Sequence, residues 1–377
     1  MIRNVLHIIK SLGFFLSGIL IKRKYDVVFY YPQHFNRGAS NENQFFKHLL
    51  LSCDRNNISY IVFEEPDFTI KSNRNPKAIP FDFMFILILF LRKLFNSEMT
   101  ILVKDQKIGN FISKVFFRKF HFKNYITLSQ SMLSIFRGIN PDAILYDLQH
   151  GIIHNNKKNY LVGGLAESNL IDNDANLLLS GDSYKKILVS NERANYFQNH
   201  TLVIGSDTFS CKSSIHEGFN NNILIILQFT HDHTADENLI LLKELSEFIL
   251  SANTKVNFYL KHHPRFNNEV NLSEMLNLSN VMMAPLDINE CFSLCSLHAT
   301  AYSTSTFEAA LLGIPTILIP FENEFNYFQK EFNYPLNHSI DDFDTISFYQ
   351  EKSQIIKDWA TAYYTPFNEP KFINLFR

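Results

Sequence analysis

The stretch LHATAYSTSTFEAALLGIPTILIP, residues 297–320, decides the fold. Residues 298–302 read as a buried strand. Ser303, Thr304, Ser305 and Thr306 form a hydroxyl cluster that opens a helix, with Glu308 in its first turn and Gly313 at its end. Residues 314–319 then read as the next buried strand. Strand, helix and strand in succession make a βαβ unit, whose strands run parallel. A helix N-terminus carries unpaired N–H groups and partial positive charge, which suits a phosphate. The cluster also has a reading without a ligand, because Ser305 and Glu308 stand at the S-x-x-E spacing of a capping box.

Upstream, a strand at 256–260 runs into Lys261-His262-His263-Pro264-Arg265. Two phosphate-friendly elements at the ends of neighbouring strands, residues 261–265 with Lys261, His263 and Arg265, and residues 303–306, point to a nucleotide mono- or diphosphate. The second half repeats the alternation, with strands at 223–227 and 281–284 and helices at 237–250 and 288–294. The first half shows it too. Strands are expected at 25–31, 58–63, 99–103, 125–128, 143–146, 176–179 and 202–204, and helices near 43–53, 80–96, 108–117 and 129–138. Residues 209–222 are polar and form the linker candidate. The expected architecture is α/β, with two doubly wound Rossmann-like domains, 1–212 and 213–377, facing a cleft.

A chain of 377 residues with 46% hydrophobic content can bury two cores. A net charge of −2 and a pI near 6.7 argue against general nucleic-acid binding. The four cysteines, Cys53, Cys211, Cys291 and Cys295, form no C-x-x-C pair, so free thiols in a reducing compartment are expected and a zinc site is not.

Asp147-Leu148-Gln149-His150-Gly151 follows the strand at 143–146, where α/β folds place reactive groups. His150 or Asp147 suits a general base near neutral pH. The loop 33–42 follows the first strand of the same half. Its Arg37 and Glu42, with Gln149, are the candidate acceptor contacts; Ser40 or Asn41 would cap the next helix. His231, Asp232, His233 and Asp236 are clustered, but neighbouring side chains diverge and no distant partner has ligand spacing. Neither G-x-x-x-x-G-K-[ST], G-x-G-x-x-G nor G-x-S-x-G occurs. Asp172 and Asp174 lie in a polar stretch, so no metal and no cofactor are expected.

Residues 5–21 are apolar and lead into Lys22-Arg23-Lys24; residues 81–95 are apolar and lead into Arg92 and Lys93. Both runs are short for a membrane span. They suit a peripheral anchor on an anionic leaflet, or core helices.

The two α/β halves, KHHPR at 261–265 and STSTFEAALLGIPTILIP at 303–320 together resemble GT-B glycosyltransferases of bacterial capsule and lipopolysaccharide assembly. Similar His-Pro and Ser/Thr motifs occur in sialyl-, polysialyl- and Kdo transferases and in teichoic-acid glycerophosphotransferases. The resemblance implies phosphate binding by His263 and residues 303–306, and a first-domain base within residues 147–151. Glu308 before GIPT is similar to the ribose-binding Glu of UDP-sugar enzymes, so a CMP- and a UDP-linked donor both stay open. It implies a nucleotide-sugar donor, a glycan or lipid-linked glycan acceptor, no nucleic acid, and a cytoplasmic location peripheral to the inner membrane. The alternatives are a sugar-nucleotide 2-epimerase-like enzyme and a non-catalytic nucleotide-sugar-binding assembly protein.

Overall fold

The computed structural model describes residues 2–36, 41–68, 74–95, 98–155, 157–207, 215–252, 255–263, 266, 269–321 and 327–377. The chain divides into two compact units, Met1–Thr208 with Phe367–Arg377, and Phe209–Pro366. The expected boundary at 212/213 lies outside the described residues. The C-terminal segment departs from the expected 213–377 domain: Phe372, Ile373 and Phe376 are buried in the first unit's core, with Val27, Phe29 and Phe46. Three large apolar side chains, two on the helix Glu369–Ile373 and one on the 3-10 turn that follows it, are enough to fix that return.

The first unit is a seven-stranded parallel sheet. Its strands are β1 (Arg23–Pro32), β2 (Tyr60–Glu65), β3 (Ile79–Pro80), β4 (Phe120–Leu128), β5 (Ile144–Leu148), β8 (Ala175–Leu179) and β9 (Thr201–Val203), while β6 (Leu161–Val162) and β7 (Leu165–Ala166) form a separate hairpin. The order β3-β2-β1-β4-β5-β8-β9 reverses between β1 and β4. The second unit holds β10 (Asn222–Ile226), β11 (Asn257–Lys261), β12 (Val281–Met283), β13 (Leu297–Thr300) and β14 (Thr316–Leu318), in the order β12-β11-β10-β13-β14, reversing between β10 and β13. In open parallel sheets the crevice beyond the strand ends at such a reversal is where ligands bind.

Two local expectations change. Residues 99–103 are not a strand: Thr100 caps a helix, Ile101–Val115, its Oγ1 accepting from Val103 N–H. That helix crosses the helix Leu133–Ile139 backbone against backbone. A Cβ on Gly109 would lie 2.2 Å from the Ile135 oxygen, and one on Gly138 2.1 Å from the Gln106 oxygen. Gly138 is therefore a crossing point inside a helix rather than its terminator, and residues 129–132 are a turn, not helix. Gly313 does close its helix, at φ +74° with its N–H on the Ala310 carbonyl.

Candidate functional site

In the second unit the hydroxyl cluster stands on a buried imidazole. His298 is fully buried in β13, with Nδ1 2.9 Å from Thr316 Oγ1 and Nε2 3.0 Å from Ser305 Oγ. Ser305 Oγ donates in turn to Ser303 Oγ at 2.9 Å. Burial pushes His298 down to about 3, so the ring is neutral and pairs with hydroxyls on both edges. Thr300 Oγ1 donates to the Ile226 carbonyl and accepts from Ser303 N–H, tying the end of β13 to β10. Ser303 and Thr304 reach the surface, whereas Ser305 and Thr306 are buried.

The capping box is not formed. Thr304 occupies the N-cap without a side-chain cap bond, and the helix is Ser305–Leu311. Glu308 is left with no hydrogen-bond or ion-pair partner among the described residues, and burial pushes its carboxyl up to about 7.

Lys261 ends β11 and donates to the Pro285 and Leu286 carbonyls, at 2.9 and 2.7 Å, holding the loop after β12. His262 packs on Phe266 with ring centroids 3.7 Å apart. His263 is half-buried just beyond the strand; Pro264 and Arg265 lie outside the described residues. His233 sits in an aromatic group, hydrogen-bonded to the Tyr302 hydroxyl and 5.4 Å from Phe321. Among the described residues no group of three or more His, Cys, Asp or Glu converges as a metal site.

In the first unit the reversal between β1 and β4 is built around a strained turn. Ser129, Gln130 and Met132 all have φ between +55° and +58°, a conformation costing roughly 1–2 kcal/mol per non-glycine residue. The surroundings hold it. Asp147 Oδ1 accepts from Gln130 N–H at 2.8 Å. The Ser131 carbonyl accepts from Tyr125 Oη and Thr127 Oγ1. Backbone strain of this kind persists only where neighbours over-determine it, and it gathers at functional sites.

Asp147 is 0% exposed. Burial pushes its carboxyl up to about 7, against the pull of the Gln130 N–H and the Tyr160 hydroxyl. Its partners belong to the turn and to Tyr160; it does not pair with His150. His150 instead lies with Nε2 3.5 Å from Ser129 Oγ and its ring edge-on to Phe35. Gln149 is a cross-strand tie: its Nε2 donates to the Gly151 carbonyl and its Oε1 accepts from Ser180 N–H. Glu42 pairs with the exposed Lys77 at 2.7 Å. The cap of the following helix is Asn43, not Ser40 or Asn41, its Oδ1 accepting from Phe45 and Phe46 N–H. Arg37 lies outside the described residues.

The Asp147 environment gives a pH signature. A carboxyl raised in the folded state from 3.8 to about 7 binds its proton more tightly folded than unfolded. Its contribution to stability therefore falls as pH rises from about 4 to about 7. Asp147→Asn keeps the acceptor for Gln130 N–H and removes the charge. In thermal unfolding at pH 8 the variant should be more stable than wild type by on the order of a few kcal/mol, and the gain should vanish near pH 4. A variant less stable at every pH would contradict the assignment.

Sequence reasoning missed His298, Glu65 and the turn at 129–132. A polar residue inside an apolar strand was the available signal for His298. Glu65, the last residue of β2, accepts from the Tyr30 hydroxyl at 2.7 Å and carries the strand-end pattern that marked Asp147.

No protein-family model matches the chain, and no curated protein matches it in sequence. Solved structures do match. A glycosyltransferase from Rickettsia africae superposes over 94% of this chain and 98% of its own, with TM-score 0.53 and 13% identity. A variant of the wall teichoic acid polymerase TagF covers 100% of this chain and 94% of its own, at 0.50 and 11%. The UDP-GlcNAc 2-epimerase of Methanocaldococcus jannaschii covers 93% and 98%, at 0.50 and 14%. At these identities the likeness is one of fold: two Rossmann-like α/β domains, the GT-B arrangement.

Proposed function

We propose that this protein is a metal-independent, inverting glycosyltransferase that moves a sugar from a CMP- or UDP-linked donor to a surface-glycan acceptor. The observation that carries the reading is the second unit's reversal point, where a hydroxyl cluster is fixed by a buried neutral His298 and Glu308 stays without a partner among the described residues. The donor phosphate would meet Ser303, Thr304 and His263, with Lys261 and Arg265 supplying positive charge. Ser305 and Thr306, both buried, support that surface from beneath. Glu308 is assigned to the ribose, since a buried carboxylate is best matched by a pair of hydroxyl donors. Protein groups that already face the phosphate can stabilise the leaving nucleotide without a metal.

On the first unit His150 is the base that takes the acceptor hydroxyl's proton. Asp147 acts through the turn it holds, a positioning role rather than proton transfer. Gln149 and Glu42, both engaged within the unit, are secondary acceptor contacts at most, and Arg37 remains a proposal from the sequence. The polysaccharide assignment, capsule or lipopolysaccharide, rests on the sequence resemblance.

An epimerase is the second reading, favoured by a fold match equal to that of the polymerase. A non-catalytic nucleotide-sugar-binding assembly protein is the third. Incubation with UDP-GlcNAc alone separates them. A transferase leaves UDP-GlcNAc unchanged at C2 and consumes it only when acceptor is added. Epimerised product without acceptor would replace the proposal.

The location is proposed as the inner membrane's cytoplasmic face. No helix among the described residues is long and apolar enough to cross a membrane. Three helices of the first unit do leave apolar side chains in solvent. Ile2–Leu20 exposes Leu6, Ile9 and Leu16, Asp82–Leu94 exposes Phe90 and Leu94, and Ile101–Val115 exposes Ile101 and Phe111. Lys22, Lys24 and Lys93 add positive charge beside them, worth about 1 kcal/mol each near an anionic surface. Vesicle flotation tests this. Leu16→Glu with Phe90→Glu should weaken association with phosphatidylserine vesicles, as should added salt. Failure of the wild type to float with vesicles of any composition would remove the placement.

A further inference from the structure

An open cavity of about 440 Å³ lies over the first unit's reversal point. It is bounded by the exits of β1, β2 and β4, and its polar lining comes from His34, Glu65, Asp67, Ser129 and Ser131, with Phe68 and Phe85 as its apolar wall. Three features distinguish it from a surface dimple. Its floor is fixed: Ser129 and Ser131 belong to the strained turn that Asp147, Tyr125 and Thr127 clamp. Glu65 is also fixed, its Oε2 accepting from the buried Tyr30 hydroxyl at 2.7 Å. Asp67 is anchored through its backbone N–H to Gln33 Oε1 at 2.9 Å.

The chemistry of the lining is selective. Carboxylates accept hydrogen bonds from adjacent hydroxyls and keep further acceptor sites after one bond is made, as Glu65 does. Aromatic faces take the C–H side of a sugar ring. Two carboxylates in one cavity repel an anionic ligand, and the nearby Arg92 is already held in a two-point pair with Asp105, at 2.8 and 2.6 Å. Burial holds the Glu65 carboxyl above its ordinary range, with Tyr30 and Arg92 pulling it back and Asp67 adding to the rise.

We infer that this cavity is a carbohydrate subsite that takes an uncharged, polyhydroxylated sugar ring, with Glu65 and Asp67 accepting from its hydroxyls and selecting against acidic sugars. The inference deepens the proposed function, on which it rests for the ring's role as acceptor. His150 is not part of the lining but adjoins it, its Nε2 3.5 Å from the Oγ of the lining residue Ser129. A hydroxyl of the bound ring can therefore give its proton to His150 while its oxygen displaces the nucleotide from the donor sugar, the leaving phosphate taking the bonding electron pair. Glu65 and Asp67 bind and orient the ring and take no proton.

Saturation-transfer NMR on the full chain tests this. The neutral probes are the methyl glycosides of glucose, galactose, mannose and N-acetylglucosamine; the acidic probes are those of glucuronic and galacturonic acid. At least one neutral glycoside should bind in the millimolar range, and its acidic counterpart roughly tenfold or more weaker. Glu65→Gln with Asp67→Asn should lower the neutral affinity by about tenfold and narrow the gap to the acidic probe. Nucleotide-induced stabilisation should be unchanged in that variant, which shows that it folds. The inference is overturned if no neutral glycoside binds, if acidic glycosides bind as well, or if the variant binds like wild type. Nucleotide binding without sugar binding sinks this subsite alone; sugar binding without nucleotide binding sinks the transferase reading and leaves the subsite.

Discussion

Arg74→Ala will cost about 3–5 kcal/mol of stability, the range for removing one partner of a buried ion pair. Arg74 joins two carboxylates that have almost no solvent. Its guanidinium donates to Glu64 Oε1 at 2.8 Å and to Asp82 Oδ1 at 2.6 Å, with side-chain exposures of 2% and 0% on the acids. Glu64 Oε2 further accepts from Tyr31 Oη, Asn36 Nδ2 and Asn75 N–H. One carboxylate thus ties β1, β2 and residues 36 and 75 together beside the candidate acceptor cavity. Without the guanidinium, two buried charges lose their counterion. Burial already holds Asp82 above its ordinary range, with Arg74 as the main opposing pull. Protonation relieves an unpaired carboxylate, so the loss should be larger at pH 8 than at pH 5. Chemical denaturation at both values checks this. Arg55→Ala is the control: Arg55 pairs with Glu369 at 2.7 Å but is 60% exposed, and surface pairs contribute no more than about 1 kcal/mol. Equal losses in the two variants would contradict the account of the cluster.

His150→Gln will lower transfer turnover by about 10²–10⁴-fold, the usual contribution of a positioned general base. Glutamine keeps a hydrogen-bonding group beside Ser129 Oγ but cannot take a proton. The effect should fall on kcat, with the donor KM little changed, because His150 touches the first unit's turn and the donor is assigned to the second. Asp147→Asn should behave differently. It leaves the imidazole in place and keeps an acceptor for Gln130 N–H, so kcat and the acceptor KM should change far less than in His150→Gln. Wild-type turnover in His150→Gln would remove the base assignment; equal effects of both variants on kcat alone would merge their roles.

Which parts of this were legible in sequence follows from what sequence encodes locally. The alternation of β-branched and apolar runs with amphipathic stretches placed nearly every core strand within a residue or two, because burial in a parallel sheet demands such runs. The two candidate site segments were reachable for the same reason: DLQHG and the STST cluster put polar groups at the ends of such runs. Residues 99–103 failed because a short apolar run does not distinguish strand from helix; Thr100 capping and the Gly109–Gly138 crossing decide it. The turn at 129–132 was invisible because Ser, Gln and Met carry no signal for positive φ; Asp147 of β5 and Tyr125 and Thr127 of the preceding β4 impose it. His298 and Arg74 were missed because their roles exist only through partners on other elements, which the fold and not the local pattern brings to them. The return of residues 367–377 to the first unit is likewise a tertiary choice. Two Phe and an Ile within five residues mark a buried face but not which core receives it.

The most direct measurement of the central claim is thermal stabilisation of the intact protein by CMP, UDP, GDP and CDP, with His263→Ala in parallel. A ligand that binds only the folded state stabilises it by about 2.7 kcal/mol at a hundredfold excess over its Kd. The account predicts that CMP or UDP raises the unfolding temperature, that GDP and CDP do so less, and that the His263→Ala variant loses the response while unfolding at the wild-type temperature without ligand. Absence of a shift with all four nucleotides, or an undiminished shift in His263→Ala, would contradict it.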